Sequence, residues 1–301
     1  MNITERHPYL RIVCNYSDDC NFNCRWCHHE GVFMNKKRKL LTPEQISFVA
    51  NEFYKIGLRK FKILGGEPTL RNDLAEIIRK LRMIDDTIDI SIVTNGHRLE
   101  EKIAEYVDAG LTRANVSLFT LDKEYFRDNI GNPSLLKRVI RGIDKSVDMH
   151  MISKINHIYH SKEDLLNVLN YANERNIRVN LLNEIPNSER GRYTPIDTVI
   201  DILEGLGIVS CEIEYDPFSL PVKLFKMKNG ASVEVKHLTI NEEHFFESCV
   251  NCKKYADCKE GIFALRLTPE GCIRPCLVRT DNQFDFFEGD HDEFIKYLQR
   301  L

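Results

Sequence analysis

The feature that most constrains this chain is a sixfold alternation of short β-rich runs with amphipathic stretches. The β-rich runs cover residues 9–15, 60–64, 89–93, 113–119, 151–158 and 178–184. The first amphipathic stretch opens with Thr42-Pro43-Glu44-Gln45, an N-cap followed by proline at the first helical position. Ile46, Val49, Ala50, Phe53 and Tyr54 then recur at helical spacing, and Gly57 ends the stretch. Further helical patterns start at Asn72-Asp73 or span 99–107, 134–147, 161–174 and 194–203. Such alternation predicts right-handed βαβ units around a parallel sheet. Six repeats without an early G-x-G-x-x-G turn favour an incomplete (β/α)6 TIM-type barrel over a doubly wound sheet. Functional groups then belong at the C-terminal ends of the strands.

The pattern changes near Gly207, which divides an expected barrel, 1–206, from a β-rich C-terminal region, 207–301. Residues 208–215, 222–227 and 232–239 read as antiparallel strands, with Asn229-Gly230 as a hairpin turn. A second hairpin runs from 263–268 through Pro269-Glu270-Gly271 toward Cys276. Lysine and arginine number 42 against 45 acidic residues, so no global basic field marks a nucleic-acid partner. Charges near the start stand where a secretory leader needs an apolar run, and no stretch approaches the roughly 18 apolar residues of a membrane span. A cytoplasmic location is expected. There, ten cysteines argue for metal or catalytic thiols over disulfides.

Two cysteine clusters carry the chemistry. Cys20, Cys24 and Cys27 follow the first strand at x3 and x2 spacing, so three thiolates in one loop can converge on one centre. Structural zinc takes four closed ligands, which His28 or His29 would complete. A cubane held by three cysteines keeps one iron open for an exogenous ligand. Sulfur-rich donors suit either metal. Cys249, Cys252, Cys258, Cys272 and Cys276 lie in the tail, where a zinc ribbon is one reading. Cys14 and Cys211 sit in strand patterns and read as buried structural thiols. His157 and His160, near a strand end, read as catalytic candidates or as ordinary core histidines; Lys36-Lys37-Arg38-Lys39 reads as a solvated loop.

C-x3-C-x2-C after the first strand, with Gly65-Gly66-Glu67-Pro68 after the second, resembles the radical S-adenosylmethionine (SAM) superfamily. There the open iron chelates the amino and carboxylate groups of SAM, and the Gly-Gly-Glu-Pro segment contacts the methionine amino group. Glu67 is an acceptor suited to an ammonium, and glycines allow close backbone approach. Further stretches are similar to the GTP 3',8-cyclases of molybdenum-cofactor synthesis, above all their archaeal branch. They are 10–12, 27–31, 65–71 (GGEPTLR), 94–96, 109–121 (AGLTRANVSLFTL), 154–156 and 265–277 (LRLTPEGCIRPCL).

That resemblance implies SAM contacts from Trp26, Gly65, Gly66, Glu67, Pro68, Ser117 and Ile185. It implies a triphosphate held by Arg11, Lys62, Thr94 and Lys154, with Arg266 on the tail hairpin. It implies two [4Fe–4S] clusters, the second held by Cys249, Cys252 and Cys276. The tail departs from the family: its Cys-x2-Cys pair lies well upstream of the hairpin, Ala264 replaces an arginine, and Cys258 and Cys272 are extra. Cys258 is the expected fourth ligand, because the five residues after Cys252 can turn back upon a metal centre. The implied reaction is reductive SAM cleavage and hydrogen abstraction from GTP or another anionic small molecule, fed by an external one-electron reductant. A peptide or natural-product substrate is the alternative within the same chemistry. A zinc or iron–sulfur structural binding protein is the alternative without catalysis.

Overall fold

A computed structural model describes residues 9–31, 40–182, 194–215, 221–236, 249–253, 264–277 and 279–300. Ile185, Cys258 and the 36–39 basic run lie outside the described residues. Strands β1 (Tyr9–Val13), β2 (Lys60–Leu64), β3 (Asp89–Thr94), β4 (Arg113–Ser117), β5 (Ile152–Ile158) and β6 (Arg178–Leu182) lie side by side in chain order. Every neighbouring pair among them is parallel. Helices α1 (Pro43–Lys55), α2 (Leu74–Arg82), α3 (Leu99–Asp108), α4 (Lys123–Asn129), α5 (Ser134–Asp148), α6 (Lys162–Glu174) and α7 (Ile196–Leu206) connect them. This is the partial β/α barrel that the alternation predicts. Helix α4 was not anticipated; Asp122 caps it by accepting from the Glu124 and Tyr125 amides.

Side-chain alternation divides the sheet into two faces. Leu10, Ile12, Phe61, Ile63, Ile90, Ile92, Ala114, Val116, Ile155 and Val179 are wholly buried in the core shared with the helices. Burial of each larger aliphatic contributes about 1.5–3 kcal/mol. The alternate positions Arg11, Lys62, Ser91, Asn115, Lys154, Asn156, Arg178 and Asn180 form a polar face on the other side. Helix α1 begins with the capping box foreseen from Thr42 and Gln45. Among the described residues, no helix is long and apolar enough to cross a membrane.

The tail strands are β7 (Ile208–Glu214), β8 (Val222–Met227), β9 (Ser232–Lys236), β10 (Ala264–Leu267), β11 (Cys272–Arg274) and β12 (Phe284–Asp285). The β7–β8, β8–β9 and β10–β11 pairs are antiparallel, as expected. Two further pairings were not foreseen: β9 joins β6 in parallel and β10 joins β1 in parallel. The tail therefore extends both edges of one 12-stranded sheet. Helix α8 (His291–Gln299), also unforeseen, sets Phe294 edge-on to Phe53 of α1 at 5.4 Å between ring centroids. Cys14 is buried as expected, but Cys211 is exposed on β7, the edge strand of the sheet among the described residues.

The turn that ends β3 is held by a close backbone approach. A Cβ at Gly142 of α5 would stand 2.2 Å from the Gly96 carbonyl oxygen and 3.2 Å from Leu99 Cβ. Gly96 itself has φ +79°, so the turn that would have to yield is already in a glycine conformation. Helix propensity favours Gly142→Ala by about 1 kcal/mol, but overpacking costs about 1–3 kcal/mol. The clash involves backbone and should win. Thermal unfolding by circular dichroism should show a lower Tm for Gly142→Ala; an equal or higher Tm would show that α5 moves outward at no cost.

Candidate active site

The loop after β1 is folded against the loop after β2 by one asparagine. Asn15 Oδ1 accepts from the Gly66 amide at 3.0 Å, while its Nδ2 donates to the carbonyls of Glu67 at 3.0 Å and Asp19 at 3.3 Å. The Glu67 amide returns a bond to the Asp19 carbonyl at 2.7 Å. A Cβ at Gly66 would lie 2.5 Å from the carbonyl oxygens of both Tyr16 and Asp19, and one at Gly65 would lie 1.9 Å from Asn15 Oδ1. Neither glycine has positive φ. Space, not backbone conformation, requires them.

Cys20, Cys24 and Cys27 all sit in this first loop, the first two half-buried and the third exposed. The Cys27 amide donates to the Cys24 carbonyl at 3.1 Å, and the Phe22 amide points at Cys20 Sγ at 3.4 Å. The loop's far side is pinned to the end of α4, where Asn23 and Arg25 amides donate to the Ile130 and Asn129 carbonyls at 2.7 and 3.0 Å. Burial pushes the Cys20 thiol up to about 11, and the Cys27 charge adds to the rise. Cys24 is raised by burial and then by the charges of Cys27 and Cys20. Three thiolates within electrostatic reach of one another are mutually unfavourable until a cationic centre sits among them. The Trp26 indole Nε1 is buried without a hydrogen-bond partner, beside Phe119 at 5.1 Å between centroids. Soft donors on one loop, the glycine cradle and this unsatisfied donor fit a SAM-binding iron–sulfur cluster.

Glu67 is anchored by four donors. Its carboxylate accepts from the Thr69 amide at 3.0 Å, Thr69 Oγ1 at 2.5 Å and Thr94 Oγ1 at 2.6 Å on Oε1, and from the Asn95 amide at 2.7 Å on Oε2. Burial raises its pKa, opposed by these donors. The side chain thereby ties the β2 loop to the β3 turn, and Oε2, with a single donor, keeps acceptor capacity. The Thr94 hydroxyl also accepts from the Gly96 amide at 3.0 Å. Asn95 Nδ2 closes the triangle by donating to Asn21 Oδ1 at 2.8 Å. Pro68 is buried at the start of a 3-10 turn, and Ser117 ends β4 on the polar face.

The expected substrate cations share that face. Arg11 is in register with Arg266 on β10 and Lys62 on β2. Arg11 and Arg266 approach the Glu30 carboxylate at 3.3 and 3.5 Å, and His28 lies 3.7 Å from it. Lys154 pairs with Glu234, which also meets Arg178 at 3.3 Å. Lys62 stands over the Tyr9 ring at 4.6 Å, and among the described residues no carboxylate lies within ion-pair distance of it. Burial lowers the Lys62 pKa, the Tyr9 phenol beside it opposes the shift, and the neighbouring cations Arg11, Lys236 and Lys154 add to it. Glu30, Asn15 and Glu234 were not singled out from sequence. Glu30 stands in the 27–31 stretch, at φ 48°, and Glu234 occupies an alternating strand position.

In the tail, Cys249 and Cys252 share one turn, the Cys252 amide donating to the Cys249 carbonyl at 2.8 Å. Cys276 is half-buried beyond β11. Arg279 feels the charges of Cys249 and Cys252, and Arg274 feels that of Cys276; Arg274 Nη2 donates to the Arg279 carbonyl at 2.9 Å. Cys272 is buried in β11, in register with Asp285 of β12.

A partial β/α barrel with three thiols on its first strand-end loop, packed on a Gly-Gly-Glu-Pro segment, defines an enzyme that uses SAM and a [4Fe–4S] cluster for radical chemistry. Residues 14–186 match the radical SAM superfamily, and the chain belongs to it. It is 34% identical to a probable GTP 3',8-cyclase of Methanococcus aeolicus, over 97% of this chain and 94% of that protein. It is 30% identical to a GTP 3',8-cyclase of Listeria monocytogenes, over 90% of this chain and 79% of that one. The fold resembles Streptococcus suis SuiB bound to S-adenosylmethionine, with TM-score 0.65 and 17% identity over 97% of this chain and 66% of that one.

Burial alone would raise the Glu30 carboxyl, but Arg11, His28 and Arg266 outweigh it and bring it down from 4.5 to about 2. A depressed carboxylate contributes stability that is present above its ordinary pKa and lost as pH falls from about 4.5 toward 2. Glu30→Gln should therefore lower the Tm of the cluster-free protein at pH 7. The gap to wild type should narrow below pH 4.5. A gap independent of pH would mean that Glu30 acts through shape alone.

Proposed function

We propose that this enzyme converts GTP to (8S)-3',8-cyclo-7,8-dihydroguanosine 5'-triphosphate. The observation that carries the reading is the cationic face of the sheet, where Lys62 lacks a carboxylate partner among the described residues. Lys62 is half-buried, an ammonium away from bulk water gains from a counter-charge, and a polyphosphate supplies one. The names of the cyclase relatives support the same substrate. Arg11 and Arg266, held by Glu30, present a preorganised guanidinium pair on adjacent strands. Lys154 is held in place by Glu234 and meets a phosphate only by sharing that carboxylate.

When bound, the cluster and SAM would supply hydrogen abstraction from C3' of the ribose, after which C3' would bond to C8 of guanine, with one electron for SAM cleavage and a second electron, each from the external reductant, and a proton to complete the product. The chain's part is positional. Cys20, Cys24 and Cys27 would hold the cluster, and Trp26, Gly65, Gly66, Glu67, Pro68 and Ser117, with Ile185 by the family resemblance, would contact SAM. The region 207–301 would hold a second [4Fe–4S] cluster through Cys249, Cys252, Cys276 and Cys258. The thiols require a reducing compartment, the cytoplasm in this reading.

Anaerobic incubation of reconstituted protein with SAM, a low-potential reductant and GTP should yield 5'-deoxyadenosine and a cyclised nucleotide in equal amounts. Cys24→Ala should reduce both more than 100-fold, and Lys62→Met should raise KM for GTP about tenfold, the loss of one charge-assisted contact. 5'-Deoxyadenosine without a nucleotide product would transfer the assignment to a peptide or natural product. Undiminished 5'-deoxyadenosine in Cys24→Ala would remove the cluster assignment itself.

The second cluster has its own test. Wild type should contain about eight irons per chain, the content of two cubanes. Cys258→Ala should alter the second-cluster electron paramagnetic resonance signal and open an iron to added ligands. An unaltered signal and ligand response would leave three cysteines and an iron free for guanine.

A further inference from the structure

On the helix side of the sheet, away from the cationic face, a second set of donors converges. His157 on β5, His160 after it and Asp164 in the first turn of α6 place one donor atom each within 4.8 Å of one another. Each residue's outer atoms are already fixed. His157 Nδ1 lies 3.0 Å from the Leu118 carbonyl, which only accepts, so this nitrogen carries the proton and a neutral ring has its lone pair at Nε2. That Nε2 is fully buried and has no hydrogen-bond partner. His160 Nδ1 lies 3.4 Å from the Ile158 carbonyl, and its Nε2 lies 3.1 Å from Asp164 Oδ2. Asp164 Oδ1 accepts from Thr120 Oγ1 at 2.7 Å and from the Leu121 amide at 3.4 Å, leaving Oδ2 toward the histidines.

We propose that His157 Nε2, His160 Nε2 and Asp164 Oδ2 form a binding site for a divalent transition cation of the zinc class, separate from the iron–sulfur sites. Two imidazoles and one carboxylate are a ligand set that zinc accepts, with water in the fourth position. The supporting shell is the kind metal-ligating residues use: each histidine's other nitrogen faces a backbone carbonyl, and the aspartate's other oxygen is held by a threonine. A cation would give a partner to two buried atoms that have no hydrogen bond among the described residues, Asp164 Oδ2 and His157 Nε2. The His160 ring stacks on Tyr125 at 3.8 Å between centroids, and Tyr125 stacks on Trp26 at 6.4 Å. The ion would thus brace the aromatic wall beside Cys27. A buried histidine pair that binds nothing is the competing reading.

Reconstituted holoprotein carrying Cys211→Ser, its cluster cysteines engaged by iron–sulfur clusters, is titrated anaerobically with cobalt(II) alone and then with zinc(II). One cobalt per chain is expected, giving the d–d absorption of a nitrogen- and oxygen-ligated ion without thiolate charge transfer, and displaced by zinc. His160→Asn and Asp164→Asn should each weaken cobalt binding at least tenfold. His160 is the half-buried member, so its variant keeps the test open should changes at the buried positions impair folding, which circular dichroism reports. No saturable binding, a thiolate charge-transfer band, or unchanged affinity in a folded His160→Asn protein would overturn the proposal.

Discussion

A carboxylate with 1% exposure, Glu67, is the point on which the active end of the barrel depends. Its donors come from its own loop and from the turn after β3, while its backbone amide and carbonyl are held by the loop after β1. Three strand ends are therefore joined through one residue. An unsatisfied buried carboxylate would be costly, and four donors make it tolerable. Three of these bonds end on Oε1 and one on Oε2. The Gly-Gly-Glu-Pro segment is accordingly a structural joint as well as a site segment, its backbone packed where no Cβ fits.

The polar face follows a different economy of charge. Five cations stand in two groups, Arg266, Arg11 and Lys62 on β10, β1 and β2, and Lys154 and Arg178 on β5 and β6; Glu30 reaches the first group, Glu234 the second, and Glu214 also holds Arg178 at 2.6 Å. Such an arrangement is stable only with counter-charge close by, since each unit pair at about 5 Å contributes roughly 3 kcal/mol at an effective dielectric of 20. Glu30 neutralises the β1–β10 side and Glu234 the β5–β6 side. Lys62 lies between them.

Much of this was legible in the sequence because it rests on periodicity and short motifs. The six barrel strands, capped α1 and the cysteine loop follow from alternation, Thr42-Pro43 and the x3, x2 spacing. Partners distant in sequence were not legible. Nothing local says that Glu234 faces Lys154 across 80 residues, or that β9 and β10 find opposite edges of one sheet. The bonds that hold Glu67 and Thr94 were not legible for the same reason: a motif shows which residue type is present, but not which hydrogen bonds it makes. Cys211 reads as a core thiol from its strand pattern, yet it lies on the sheet's edge strand, where that pattern meets solvent.

The parallel joining of β10 to β1 brings the tail's chemistry to the barrel. Register places Arg266 opposite Arg11 and Arg274 opposite Arg266, so three guanidinium-bearing positions form one rung across adjacent strands. Strands lie about 4.8 Å apart, and the second and third of these arginines are buried. Burial, with Arg266 alongside, lowers the Arg274 pKa, while Cys276 and Cys272 oppose the shift. Arg274 in turn donates to the carbonyl of Arg279, whose own side chain feels Cys249 and Cys252. Glu30 balances one end of the rung. At the other end Arg279 is held by Asp281 at 2.5 Å, and Cys272 and Cys276 lie near Arg274. The edge pairing thus couples the two halves: the strand that completes the cationic face also brings Arg274 and the segment carrying Cys276 beside the barrel.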